Sequence, residues 1–251
     1  MVLAAIIMGV NFTSCKPDNT EEPTEDPVEI PAKKLVKFTT GVSEMFFSYD
    51  DQDRLIECEK VTQSYTFTYT YVWGENTIDI HENVDGDYYL KCTLNLVNGL
   101  AHQITEDPQL NDSIFKYDSS NRLIECAGRL DTKLLEWNDD MLTSIQLNGD
   151  NTTGHITYSY DKNSTTKGYN PLLPYEVIDD LYIAHPELAG IATQKLYDTK
   201  TSSAIMYEYE LSASFKNEYE FDEDGYVKNV IVTRVNEGGE ETIDEYICVW
   251  E

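Results

Sequence analysis

The clearest run of chemistry-bearing residues is Tyr65-Thr66-Phe67-Thr68-Tyr69-Thr70-Tyr71-Val72-Trp73, whose strict alternation puts five aromatics on one face of a strand. On an open surface, Tyr65, Phe67, Tyr69, Tyr71 and Trp73 can stack on sugar rings while hydroxyls and carboxylates bond the sugar hydroxyls. Facing inward, they are plain core, and core is the first expectation. The histidines His81, His102, His155 and His185 share no His-x-x-x-His or His-Glu-x-x-His spacing, so isolated surface or rim positions and no metal are expected. Asp50-Asp51-Gln52-Asp53, Asp85-Gly86-Asp87 and Asp222-Glu223-Asp224-Gly225 cluster oxygens without completing a calcium loop, and turn chemistry explains them. Beyond Cys15, four cysteines allow three pairings that spacing cannot rank. Cys58 and Cys126 occupy equivalent positions in a repeat and read as free, buried hydrophobes. There is no Gly-x-Ser-x-Gly elbow, and no cysteine has a recognisable histidine partner. With forty-six acids a glycosidase pair is findable by chance, so no catalytic residue and no cofactor is assigned.

Forty-six Asp and Glu against eighteen Lys and Arg give a net charge of -28 over 251 residues. A surface of that sign repels a phosphate backbone and anionic lipid, so neither nucleic-acid binding nor electrostatic membrane docking is expected. Eighteen tyrosines favour strands, because aromatic side chains fit a pleated surface.

The first residues read as an address. Met1 to Val10 is uncharged and apolar, far shorter than the roughly 20 residues that span a bilayer. It runs into Phe12-Thr13-Ser14-Cys15, which resembles a bacterial lipobox with Cys15 as the lipidated residue. No Lys or Arg precedes the apolar run, and Phe12 stands where such motifs usually carry Leu. Residues 1–14 are thus expected to be a signal peptide, and residues 15–31 a lipidated cysteine with an acidic, proline-rich tether. The tether is extended by Pro17, Pro23, Pro27 and Pro31, and its one Lys against six acids gives -5, which leaves -23 for residues 32–251. An acidic stretch at this place resembles the export tag of surface lipoproteins in Bacteroidota; a solvated linker is the plain alternative.

The rest repeats one hairpin. Phe47-Ser48-Tyr49-Asp50-Asp51-Gln52-Asp53-Arg54-Leu55-Ile56-Glu57-Cys58 recurs as Phe115-Lys116-Tyr117-Asp118-Ser119-Ser120-Asn121-Arg122-Leu123-Ile124-Glu125-Cys126, and Tyr219 to Val227 keeps the same step. Strand anchors at Tyr49, Trp73, Leu96, Tyr117, Trp137 and Tyr160 are spaced 24, 23, 21, 20 and 23. The expectation is an all-β domain over residues 32–251: an antiparallel meander of many hairpins, curled into a barrel or half-barrel because a flat sheet would leave long open edges. Late in the chain, strands are expected at Ala204–Ser212 and Phe215–Phe221. One helical insertion is expected near 170–185, with Asn170 as N-cap, Pro171 in the first turn and Val177, Ile178, Leu181 and Tyr182 on one face, covering one mouth of the sheet.

The Tyr-Asp-x-x-x-Arg-Leu units at Tyr49–Leu55 and Tyr117–Leu123 resemble the tyrosine-aspartate hairpins of Rhs-type proteins. With the lipobox, tether and insertion, residues 33–251 resemble a Bacteroidota lipoprotein family of unknown function described as having a porin-like β fold. That resemblance implies an outer-membrane lipoprotein, facing the cell surface or the periplasm, and transfers no catalytic residue. Plain alternation puts Leu55, Glu57 and Glu59 on one face, as it does Tyr226, Lys228 and Arg234, so an apolar outer band is not expected and neither is spanning. The reading is a non-enzymatic envelope protein attached to the membrane through its lipid, binding or scaffolding an envelope protein; glycan binding is the alternative.

Overall fold

The structure is a computed structural model that describes residues 32–251 except 85, 107–112, 129–130, 151, 178–183 and 207–208, and the side chains at 106, 176, 206, 209 and 210. The apolar segment 1–14, Cys15 and the rest of the tether lie outside the described residues, as do Ile178, Leu181 and Tyr182. The wall opens with β1 (Leu35–Thr39), β2 (Ser43–Tyr49), β3 (Leu55–Thr62), β4 (Thr66–Trp73), β5 (Thr77–Val84) and β6 (Asp87–Val97). It continues through β7 (Leu100–Glu106), β8 (Ser113–Tyr117), β9 (Leu123–Ala127), β10 (Asp131–Asn138), β11 (Met141–Gly149) and β12 (Thr152–Ser159). An insertion then carries β13 (Ser164–Thr165), helix α1 (Leu172–Val177), a 3-10 turn (Pro186–Ala189) and β14 (Lys195–Leu196). The wall resumes with β15 (Thr199–Met206), β16 (Tyr209–Phe221), β17 (Val227–Asn236) and β18 (Glu241–Trp250).

Sequential antiparallel pairing runs round the wall, β12 pairs directly with β15, and β18 pairs with β1, so sixteen described strands form a closed barrel. Of the two outcomes expected, barrel or half-barrel, the chain takes the one that leaves no free edge. β13 and β14 form a separate two-stranded ribbon. The break expected at Ala213-Ser214 is corrected. Those small residues lie inside the long β16, paired with Ser202 and Thr201, and β15 ends at Met206. The second strand of the separate ribbon is only two residues long, Lys195–Leu196.

The hairpin turns follow from their aspartates. Asp50 Oδ1 accepts the backbone N–H groups of Gln52 and Arg54, each at 2.9 Å, while Oδ2 accepts Arg54 Nε at 2.8 Å. Asp118 does the same for Ser120 and Arg122 at 2.8 and 3.0 Å, and Asp222 for Asp224 and Tyr226 at 3.0 and 2.9 Å. Three residues past each aspartate the backbone turns left-handed, at Asp53 (φ 68°), Asn121 (φ 62°) and Gly225 (φ 89°). Only Gly, Asn and Asp adopt that conformation cheaply.

A β-bulge follows each such turn and overturns part of the plain alternation. Tyr49 faces Leu55 but Ser48 faces Glu57, which leaves Ile56 as the extra residue. Ile124 and Lys228 are extra in the same way. Leu55 is therefore buried, whereas Glu57 and Glu59 lie on the outer wall opposite Ser48 and Phe46. Tyr226 and Arg234 are likewise separated from Lys228.

At one end of the barrel, inward aromatics close a ring of hydrogen bonds. Tyr49 Oη donates to Leu35 O at 2.7 Å, and Trp73 Nε1 to Leu55 O and Trp137 Nε1 to Leu123 O at the same distance. Tyr160 donates to Leu142 O at 2.9 Å, Tyr219 to Tyr197 O at 2.9 Å, and Trp250 Nε1 to Val227 O at 2.6 Å. Tyr117 completes the set on Ala101 O. At the equivalent site on β6, Leu96 has no side-chain donor.

The insertion closes this same end. Its helix is capped by Asn170 Oδ1, which accepts Leu172 N–H at 3.1 Å, and Leu172, Leu173 and Val177 are buried. Lys133 Nζ on the inner wall donates to Val177 O at 2.7 Å, one of the carbonyls a helix end leaves unpaired. Gly190 takes φ 62° beside Tyr117, whose Cε1 would lie 2.9 Å from an added Cβ. Its carbonyl accepts Leu123 N–H at 3.1 Å.

Trp137→Phe keeps a ring but strands the Leu123 carbonyl, so it is expected to lower unfolding free energy by about 1–2 kcal/mol. Urea titration monitored by far-UV circular dichroism checks this, and no loss of stability would mean the ring of bonds carries no net energy.

Candidate functional site

The register assigns each side of β4. Phe67 pairs with Val84, Tyr69 with Glu82, Tyr71 with Ile80 and Trp73 with Ile78, and Ile78 and Ile80 are fully buried, so this face looks into the barrel. Thr66, Thr68, Thr70 and Val72 face out. The five aromatics nevertheless fall into two groups. Trp73 belongs to the plugged end, where its indole meets the His185 ring edge-on at 5.9 Å, and Tyr71 is buried at 6% exposure. Tyr65, Phe67 and Tyr69 climb towards the opposite mouth with ring centroids 6.2 and 6.5 Å apart, and Phe67 and Tyr69 are within 8° of parallel. Tyr65, at the rim, is 55% exposed.

Beside this ladder sits a buried charge. Glu82 is 5% exposed, accepts the Tyr89 hydroxyl, and has Lys91 Nζ 3.4 Å from both of its oxygens. The Lys91 ammonium also lies 5.3 Å over the Tyr69 ring. Burial pushes the Glu82 carboxyl up, but hydrogen bonds from Tyr89 and Tyr69 and the charge of Lys91 outweigh it and hold the group below the usual carboxylate range. A carboxylate engaged in this way orients its neighbours; it is not poised as a nucleophile or base. The arrangement offers stacking faces and a fixed ammonium–carboxylate pair, which is binding chemistry.

Sequence reasoning did not single out Glu82, Tyr89 or Lys91, and it expected His185 at an isolated surface or rim position, whereas its side chain is 12% exposed and bonded to Leu55. The first three meet because a bulge after Ile80 makes Lys91 the unpaired residue, with Ile80 opposite Cys92 and His81 opposite Leu90. No local sequence signal announces that bulge. His185 is set by the plug: its Nε2 accepts Leu55 N–H at 2.8 Å, so its proton sits on Nδ1, which donates to Glu187. His81 stacks on Tyr88 at 5.0 Å on the outer wall. Among the described residues Cys58, Cys92, Cys126 and Cys248 form no disulfide, and burial pushes Cys126 up to about 11 and Cys248 to about 12. Among the described residues no three His, Cys, Asp or Glu converge as a metal site would need. Cys15 lies outside the described residues.

No protein-family model matches the sequence, and no curated protein does. Among solved structures, a porin-like protein from Bacteroides uniformis superposes with a TM-score of 0.60 at 13% identity, over 87% of this chain and 94% of its own. A porin-like protein from Bacteroides vulgatus aligns at 11% identity over 87% of this chain and 99% of its own, with a TM-score of 0.41. The first likeness shows a shared barrel fold.

Because the folded Glu82 carboxyl titrates below its ordinary range, its stabilisation is present above that range and is lost as pH falls through the depressed value. Wild type is expected to exceed Glu82→Gln in stability by on the order of 1–3 kcal/mol at pH 7, with the gap narrowing in acid. Urea midpoints across a pH series test this, and a gap that widened in acid would reverse the sign.

Proposed function

We propose that this protein is a lipid-anchored component of a bacterial cell envelope whose plugged barrel binds or scaffolds a partner, without catalysis and without conducting solutes. The observation that carries this reading is the closed mouth. The described residues of the insertion cross it and bond to the turns and strand starts of β3, β9, β11 and β17 through His185, Gly190, Thr193 and Thr166. The outer wall supports the same reading. Glu57 and Glu59 on β3, Thr66, Thr68 and Thr70 on β4, and Lys216 and Glu218 on β16 all face out. Set in hydrocarbon, such charges cost about 2–4 kcal/mol each for Lys near the midplane. No described helix is long and apolar enough to cross a membrane. Attachment is therefore assigned to the lipobox-like Phe12-Thr13-Ser14-Cys15 and the tether behind it, with the outer membrane as the location that a porin-like barrel and an acidic tether fit best.

A second reading has its own observation. Tyr65 and Phe67, stacked on the buried Tyr69, open at the unplugged mouth near Lys91 and offer faces for a sugar ring. In that case Tyr65→Ala and Phe67→Ala abolish glycan-array signals, whereas Trp73, committed to Leu55 O and His185, reports on folding.

Wild-type protein is expected in the membrane fraction of expressing cells and the Cys15→Ala variant in the soluble fraction. Protease shaving of intact cells, with a periplasmic marker, then separates a surface from a periplasmic orientation. Retention of Cys15→Ala in membranes through alkaline carbonate washing would overturn the lipid anchor and favour an inserted barrel.

A further inference from the structure

On the outer wall, three shallow depressions of about 330, 280 and 370 Å³ follow one another from β10 to β17. The first two share Asn148 and Thr153, and the second and third share His155 and Ser203, so they form one continuous trench. The inner face there carries Gly154, Ala204 and Ala213, and a Cβ on Gly154 would meet Ser203 O at 2.9 Å and Leu147 Cδ1 at 3.3 Å. The outward side chains along the trench, among them Thr153, Ser203, Ser212 and Ser214, are short, which leaves the depressions open.

The lining selects an occupant. Gln146, His155 and Ser203 project outwards in one row across neighbouring strands, since Gln146 pairs with His155 and His155 with Ser203. Among the described residues the side chains of Thr153, His155, Ser203 and Ser214 make no hydrogen bond, so the trench presents open donors and acceptors along its length. Six strands, β10, β11, β12, β15, β16 and β17, cross beneath it, a span of ~24 Å at ~4.8 Å per strand spacing. A closed wall offers no free edge to an extended peptide. Asp131 and Asp150 at one end and Glu237 at the other repel a polyanion, in keeping with the net charge of -28. Aromatic side chains are absent from the lining, and Ile205 and Val235 are its outward apolar groups, too few to hold an apolar ligand. We infer that this trench is a binding site for a neutral oligosaccharide chain lying across the strands, its hydroxyls bonded by Thr153, His155, Ser203 and Ser214.

This site is separate from the open mouth, and one experiment distinguishes the two. Isothermal titration of the full-length protein with maltohexaose, cellohexaose and xylohexaose, their disaccharides and an oligogalacturonate is expected to show one neutral hexamer binding more tightly than its disaccharide and than the uronate. Ser203→Trp, which fills the trench from an outward position, should weaken that hexamer by about tenfold or more. His155→Ala should weaken it less, and circular dichroism and urea midpoints confirm that both variants are folded. Binding lost in Tyr65→Ala and Phe67→Ala but untouched by Ser203→Trp and His155→Ala would overturn the trench and leave the mouth reading standing. Preference for the uronate, or no binding of any neutral hexamer, would also overturn it.

Discussion

The architecture turns on a few backbone groups that the sheet itself cannot pair. Where a bulge follows the hairpin turn, the first residue of the returning strand has a carbonyl and an amide directed away from the ladder, and burying either one unpaired costs about 1–3 kcal/mol. Leu55, Leu123 and Val227 are equivalent residues of this kind. Each carbonyl accepts an aromatic donor, from Trp73, Trp137 and Trp250 in turn. Each amide donates to the insertion, at His185 Nε2, Gly190 O and Thr166 Oγ1. The aromatic ring and the plug are thus two halves of one solution, and neither can be removed without exposing polar backbone in an apolar interior.

The interior of the barrel is packed with Phe38, Phe115, Leu142 and Val230, while its outer wall carries threonines and carboxylates beside exposed Phe46, Val72, Ile205, Ile243 and Ile247. Small inward residues such as Gly154 and Ala204 leave no room for larger side chains there, since a Cβ on Gly154 would meet Ser203 O at 2.9 Å. The Bacteroides uniformis neighbour shares this fold at 13% identity, so the fold is compatible with very different side chains.

Much of the barrel was legible from the chain because the information is local. Asp50 and Asp118 mark turns by bonding their own following amides, Asp53 and Asn121 supply the left-handed residue, and a meander needs only consecutive pairing. Asn170 and Pro171 announced the helix start for the same reason. What stayed hidden depends on partners distant in sequence. The extra residues at Ile56 and Lys91 are created by cross-strand register, so alternation alone misassigned Glu57 and could not bring Lys91 to Glu82. The break expected at Ala213-Ser214 is the middle of a strand because both residues pair with β15. His185 had no motif because its role is defined by an amide 130 residues away.

The place where the insertion leaves the wall has a consequence for assembly. Since β12 pairs directly with β15, residues 160–198 hang from the sheet as a side branch, and every wall contact except the β1–β18 seam joins strands consecutive along the wall. Most of the wall is therefore topologically local, with small loop-closure entropy, and can form progressively. The seam and the side branch are the steps with long closure distances. They meet at the same end of the molecule, where Lys33 bonds to Tyr226 and Asp222 beside the insertion's Lys167 and Thr166. Cooperativity in this fold is consequently concentrated at one pole, and amide exchange there should report global unfolding while the opposite rim opens locally.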